Sequence, residues 1–208
     1  MRVKALMVDV DGVVVVRPAD PARRSWAWNL ETDLGLSLNQ LQGRFFAVHW
    51  SDVVHGRADL HDRLALVLAE IAPGLSSQAL ADYWFEQDSI LDQTLLDDLK
   101  ALGTRGLELH LATVQEHHRA RYLMEDLGLG QVFQAIHYAA DYGLSKPDPA
   151  FFRAVEARTG HEPESLLLID DSLKNVESAR VCGWQALHWD GSLRLAEALD
   201  VAGIEIAP

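Results

Sequence analysis

The run LMVDVDGVVVV, residues 6–16, is almost wholly aliphatic, yet it carries two aspartates, Asp9 and Asp11. Ionised carboxylates are costly to bury unless something pairs with them or they bind a metal. Either the apolar run ends there and the acids are ordinary turn residues, or they are held in place for chemistry. Three further polar groups follow apolar runs: Thr113 after LELHLA, the loop Ser145-Lys146-Pro147-Asp148-Pro149, and Asp170-Asp171-Ser172. Together they comprise a nucleophile-grade carboxylate, a hydroxyl, an ammonium and an acid pair.

Each group has a purely structural alternative. Asp9-Val10-Asp11-Gly12 reads as a turn. Thr113 opens TVQE, a capping box with Glu116 in the fourth place. Lys146 alone reads as a solvated loop lysine. Asp148 followed by Pro149 has the pattern of an N-cap and an N1 proline, and Asp171 could cap a helix beginning near Ser172. None of these explains why all four groups stand at the ends of the same kind of element.

Those elements are short apolar runs separated by helical patterns. VKALMV (3–8), LELHLA (107–112), QAIHYA (134–139), SLLLID (165–170) and WQALHW (184–189) read as strands of a parallel sheet covered on both faces. TLLDDLKALG, QEHHRARYLMEDLG and PAFFRAVEARTG read as helices closed by glycine. The alternation predicts a three-layer α/β core, in which ligands collect at the carboxyl ends of the strands. Residues 17–90 break the pattern. DPARRSWAWNLETDLG, SLNQLQGRFFAVHW, RADLHDRLALVLAEIAP and SSQALADYWFEQD are helical without strands, which predicts an all-α insertion capping one end of the sheet.

The 208 residues suit one elaborated domain or two small ones. A formal charge of −13 argues against nucleic acid and anionic membranes as partners. The site for any anionic substrate must then supply its own positive charge. The single cysteine, Cys182, and the lack of a leader or spanning segment predict a cytoplasmic protein.

The ordered set DVDGVV (9–14), LHLAT (109–113), SKPDP (145–149) and LLIDDSLKN (167–175) resembles the haloacid dehalogenase-like (HAD) hydrolase superfamily, subfamily IA, whose members include phosphoglycolate and sugar-phosphate phosphatases. The resemblance implies a Rossmann-like core over 1–16 and 91–208, with a C1 cap over 17–90. It implies that Asp9 attacks phosphorus to form an aspartyl phosphate, and that Asp11 protonates the leaving alcohol and then activates water. It also implies Mg²⁺ held by Asp9, the carbonyl of Asp11, and Asp170 or Asp171. Lys146 and Thr113 would hold the phosphoryl oxygens, with Gly12 and Asn175 in support. The family often places a small or amide residue after the threonine; here Val114 follows.

The implied substrate is a small phosphorylated metabolite, handled by a monomer or homodimer. A phosphomutase of the β-phosphoglucomutase type shares every core residue. A 2-haloacid dehalogenase shares the scaffold but has no leaving alcohol for Asp11 and uses no Mg²⁺. A receiver domain would place its acid pair first in the chain and lack the helical insert, and a silent binding protein tends to lose a key residue. In the cap, His49, Trp50, His55 and Arg57 are candidates to face the substrate. The structural alternative makes Trp50 cap core and the others surface. Asp59 reads as a helix cap, and His117-His118 as structural.

Overall fold

The computed structural model describes residues 3–18, 20–23 and 25–206. Its centre is a sheet of five strands, β1 (Ala5–Val8), β2 (Glu108–Thr113), β3 (Ala135–Tyr138), β4 (Leu166–Asp170) and β5 (Gln185–His188). All neighbours are parallel, in the order β3-β2-β1-β4-β5, so the run carrying Asp9 is the central strand.

The period-2 alternation of each strand divides its side chains between two apolar layers. On one face Leu6, Val8, Leu109, Leu111, Leu167 and Ile169 pack with α6 (Gln93–Gly103), α7 (His117–Met124) and α11 (Leu195–Val201). On the other, Ala5, Met7, Ala112, Leu166 and Leu168 pack against α9 (Pro149–Thr159) and α10 (Leu173–Val181), including Phe151, Phe152, Val155 and Val176. Both faces of β1 and β4 are buried, which is why their sequences are continuous apolar runs rather than alternating ones.

Between β1 and α6 the chain builds a helical block with its own apolar cluster, including Leu30, Phe45, Leu64, Leu68, Leu80 and Phe85. Its helices are α1 (Leu30–Leu34), α2 (Leu38–Leu41), α3 (Ala47–Val54), α4 (Leu60–Ile71) and α5 (Ser77–Gln87). Asp59 caps α4 by accepting from Asp62 N, and Ser76 caps α5 by accepting from Ala79 N. A π turn, Gln42–Phe46, joins α2 to α3 and accommodates Gly43.

The helix expected over residues 20–35 does not form as one element. Only a 3₁₀ turn at Pro21–Arg23 and the short α1 are helical there, and Arg24 lies outside the described residues. Side chains compete with the helical ladder at this point, since Asp20 Oδ1 accepts from Ala22 N and Ser25 Oγ from Ala27 N. The chain leaves the sheet and returns to it along adjacent paths. Val16 N donates to Ile90 O at 2.8 Å and Asp92 N to Val14 O at 2.9 Å. Among the described residues no helix is long and apolar enough to cross a membrane.

Candidate active site

The carboxyl ends of β1, β2 and β4 bring Asp9, Thr113 and Asp170 to one edge of the sheet. Asp9 extends the β1 ladder by one bond, its N–H donating to Ile169 O at 2.9 Å, and its Oδ1 accepts from Val10 N at 2.8 Å. The loop after β3 and the short helix α8 (Ala139–Tyr142) delivers Lys146 to the same point. Its Nζ lies 3.0 Å from Asp9 Oδ1 and 2.5 Å from Asp170 Oδ2, with the lysine side chain fully buried. The solvated-loop alternative for Lys146 is therefore incorrect.

Asp170 is braced on its other side. Asn175 Nδ2, one turn into α10, donates to both Asp170 oxygens at 2.9 and 3.1 Å, and Ser172 N donates to Oδ1 at 2.9 Å. Charge-assisted bonds of this kind fix a carboxylate in one orientation. Burial raises the Asp9 pKa to about 7, against the pull of the Lys146 ammonium and with Asp170 adding to the rise. Burial alone would push Lys146 down, but Asp9 and Asp170 together carry its pKa upward, so the ammonium stays charged.

Asp9, Asp170 and Asp171 each offer a carboxylate oxygen, and these lie within 4.8 Å of one another. An all-oxygen set of this size suits a hard divalent cation such as magnesium. The Asp171 carboxyl is also raised, first by desolvation and then by Asp170, with Lys146 and Arg17 opposing. Gly12 makes room for it. A Cβ at Gly12 would stand 2.2 Å from Asp171 Oδ2, and the backbone there is left-handed at φ +82°. The Asp11 carboxylate stands outside this trio.

Thr113 ends β2 fully buried, with its Oγ1 lacking any hydrogen-bond partner. Such an orphan is expensive unless a ligand completes it. The capping-box alternative fails, because Glu116 itself caps α7, accepting from His118 N and Arg119 N. Asp171 is likewise no helix cap; Ser172 occupies that position, and its N–H donates to Asp170 Oδ1. Asp148 does cap α9, with Pro149 in its first turn.

Gln115 was not singled out by its sequence. Its Nε2 donates to Asp11 Oδ2 at 2.7 Å. The small or amide residue that often follows the threonine in the resembled pattern is Val114 here, with an amide one position later, and that offset was the available signal. Desolvation, then the nearby Asp88, raises the Asp11 pKa, while Arg119 and Gln115 oppose. Arg119 is also new: it is buried and donates to the carbonyls of Phe85 and Asp88, tying α7 to the end of α5.

The four candidates of the helical block are dispersed. His55 Nε2 lies 3.2 Å from Ser145 Oγ, beside Lys146, and its Nδ1 2.8 Å from Ser51 O. Trp50 packs with Phe45, Phe46 and Trp84. His49 is half-buried beside Phe45. Arg57 is exposed and paired with Asp52 at 2.9 Å. His118 bonds Asp59 at 2.7 Å, and His117 bonds Tyr138 at 3.2 Å. The cleft beside Asp11, about 400 Å³, is lined instead by Gly12, Arg17, Ser25, Trp26 and Asp88, with Val15 and Val16. A groove of about 500 Å³ between α6 and α11 contains none of the site carboxylates.

A family model described as haloacid dehalogenase-like hydrolase matches residues 3–183. Phosphoglycolate phosphatase of Salmonella typhimurium is 30% identical over 114 residues, 55% of this chain and 45% of that protein. The match thus spans just under half the length of that curated relative. Among solved structures, a HAD family enzyme from Bacteroides thetaiotaomicron in a magnesium complex gives a TM-score of 0.76 at 16% identity, covering 95% of this chain and 98% of that one. A putative beta-phosphoglucomutase from Thermotoga maritima gives 0.58 at 20% identity, covering 99% and 93%. At such identities the structural likeness establishes the fold.

Proposed function

The chain belongs to the haloacid dehalogenase-like hydrolase family, and from that premise we propose that it is a Mg²⁺-dependent phosphatase of small phosphorylated metabolites, working through an aspartyl phosphate on Asp9. The observation that carries the reading is the buried Lys146 between Asp9 and Asp170, next to the unpartnered hydroxyl of Thr113. A carboxylate, a fixed ammonium and a free hydroxyl at one strand edge make a cradle for a phosphoryl group.

Asp9 attacks phosphorus, and the bond from phosphorus to the leaving oxygen breaks. Asp11 gives its proton to that oxygen, then takes one from the water that cleaves the acyl phosphate, so Asp9 is restored and inorganic phosphate leaves. Lys146 holds the attacking carboxylate in place and faces the growing negative charge, and Thr113 Oγ1 donates to a phosphoryl oxygen. Magnesium held by Asp9, Asp170 and Asp171, with the Asp11 carbonyl, would supply the remaining charge neutralisation. Residues 17–90 form the cap on a core of 1–16 and 91–208, and His55 meets the core at Ser145.

A dehalogenase would leave Asp11, and the amide that holds it, without a leaving oxygen to protonate. Phosphate release from p-nitrophenyl phosphate tests the mechanism. Asp9→Asn and EDTA should each abolish it, and retained turnover in either case overturns the proposal. Chloride release from 2-chloropropionate would favour the dehalogenase, and intramolecular phosphate transfer on a sugar phosphate the mutase.

A further inference from the structure

From the cleft beside Asp11 we infer that Asp88 and Trp26 select a neutral, hydroxylated leaving group, a sugar or polyol, and disfavour alcohols that carry a carboxylate. The inference rests on the phosphatase reading above and deepens it. It departs from the phosphoglycolate specificity named for the curated relative.

The leaving group must lie on the Asp11 side of phosphorus, because Asp11 delivers its proton. That side is the cleft whose walls include Arg17, Ser25, Trp26 and Asp88. Asp88 follows the last turn of α5, where the chain turns back toward the sheet. Its carbonyl accepts from the buried Arg119, which also bonds Phe85 O at 2.9 Å and Ser89 Oγ at 3.2 Å, so the Asp88 backbone is anchored. Trp26 is held by stacking on Trp84, with ring centroids 5.1 Å apart and planes at 21°. A carboxylate on an anchored backbone accepts hydroxyl protons, and an indole offers an apolar surface to the C–H face of a sugar.

The charges decide against an acidic leaving group. With Asp11 holding the proton it delivers, the carboxylates of Asp9, Asp88, Asp170 and Asp171 stand against Lys146, Arg119 and Arg17. One divalent cation makes this set slightly positive, and the phosphoryl dianion turns it negative again. Arg17 makes no ion pair among the described residues, but its field already acts on Asp88 and Asp171. A second carboxylate on the substrate would therefore add to an already negative set and meet the Asp88 carboxylate, with Arg17 the one cation lining the cleft among the described residues and its field already shared by Asp88 and Asp171. Hydroxyls meet no such penalty.

The test compares kcat/KM of the Mg²⁺-loaded protein for ribose 5-phosphate and glucose 6-phosphate with that for 2-phosphoglycolate. The sugar phosphates should lead by about tenfold or more, a difference equivalent to about 1.4 kcal/mol. Asp88→Asn should narrow the ratio, chiefly through a lower KM for phosphoglycolate. Trp26→Leu should narrow it from the other side, by weakening the sugar phosphates. A wild type that prefers phosphoglycolate, or a ratio unmoved in both variants, overturns the inference while leaving the phosphatase reading intact. Failure of the wild type to release phosphate from p-nitrophenyl phosphate with Mg²⁺ overturns both.

Discussion

Gln115 Nε2 donates to Asp11 Oδ2 across 2.7 Å, joining the loop after β2 to the loop after β1. Gln115 is buried, and its backbone carbonyl accepts from Ala140 N at 3.1 Å, which anchors the main chain from which the amide reaches Asp11. With one carboxylate oxygen engaged, the other is left to carry the proton that Asp11 delivers to the leaving oxygen. Positioned acid–base groups contribute roughly 10²- to 10⁴-fold, and losing the brace should forfeit part of that, about tenfold in kcat with KM nearly unchanged for Gln115→Ala. Gln115→Glu sets a second carboxylate against Asp11 and should move the pH profile of kcat/KM upward. Wild-type kcat and an unmoved profile in both variants would show that the amide is idle.

Gly12→Ala probes the other side of the Asp9–Asp11 loop. The new Cβ would stand 2.2 Å from Asp171 Oδ2 and 2.7 Å from its Cγ, so the carboxylate must swing away. The left-handed backbone adds a cost of about 1–2 kcal/mol for any residue with a Cβ. The variant should unfold at lower urea and need more Mg²⁺ for half-maximal phosphate release. An unchanged Mg²⁺ requirement would remove Asp171 from the metal set.

Much of this arrangement is legible in the sequence because it is local. Each strand is a bounded apolar run, and the polar residue that closes it marks the ligand edge of a parallel sheet, so Asp9, Thr113 and Asp170 converge. Other features depend on partners far along the chain. The Gln115–Asp11 bond spans 104 positions and the Arg119–Phe85 bond 34, and no periodicity encodes either. Arg17, Trp26 and Asp88 belong to the cleft only because Val14–Val16 and Ile90–Asp92 run side by side. Trp50 shows the converse. Its aromatic character suggested a substrate contact, and its ring packs among Phe45, Phe46 and Trp84.

Lys146 neutralises two buried carboxylates, so its removal acts on the fold as well as on catalysis. Truncating one partner of a buried ion pair costs about 3–5 kcal/mol, because the other charge is left uncompensated. In EDTA, Lys146→Met should lose stability on that scale by urea titration. Saturating Mg²⁺ should recover part of the loss, since a divalent cation at Asp9 and Asp170 replaces the missing charge. At a hundred times its Kd a bound ion adds about 2.7 kcal/mol. Equal Mg²⁺ stabilisation of Lys146→Met and Asp170→Asn would show that these carboxylates do not bind the ion.

A separate pH dependence is built into β2 and β3, away from the catalytic carboxylates. His137 is buried with its Nε2 3.0 Å from His110 Nδ1 and its Nδ1 2.7 Å from Tyr142 Oη. Burial first, then His110 and Arg158, lowers its pKa from 6.5 to about 4. His110 is lowered as well by burial, with Glu108 opposing and His161 adding to the effect. The folded protein therefore keeps His137 neutral where the unfolded chain already takes a proton. The stability this gives is complete above pH 6.5 and is lost as the pH falls from 6.5 toward 4. The slope is about 1.4 kcal/mol per pH unit, on the order of 3 kcal/mol across the window. In urea unfolding between pH 7 and pH 5, stability should depend on pH more positively in the wild type than in His137→Gln by about that slope, the raised Asp9 carboxyl adding the same opposing slope to both. The His137 ring resonance should hold its neutral position down to about pH 5. A ring that titrates near 6.5 would show that its burial costs nothing.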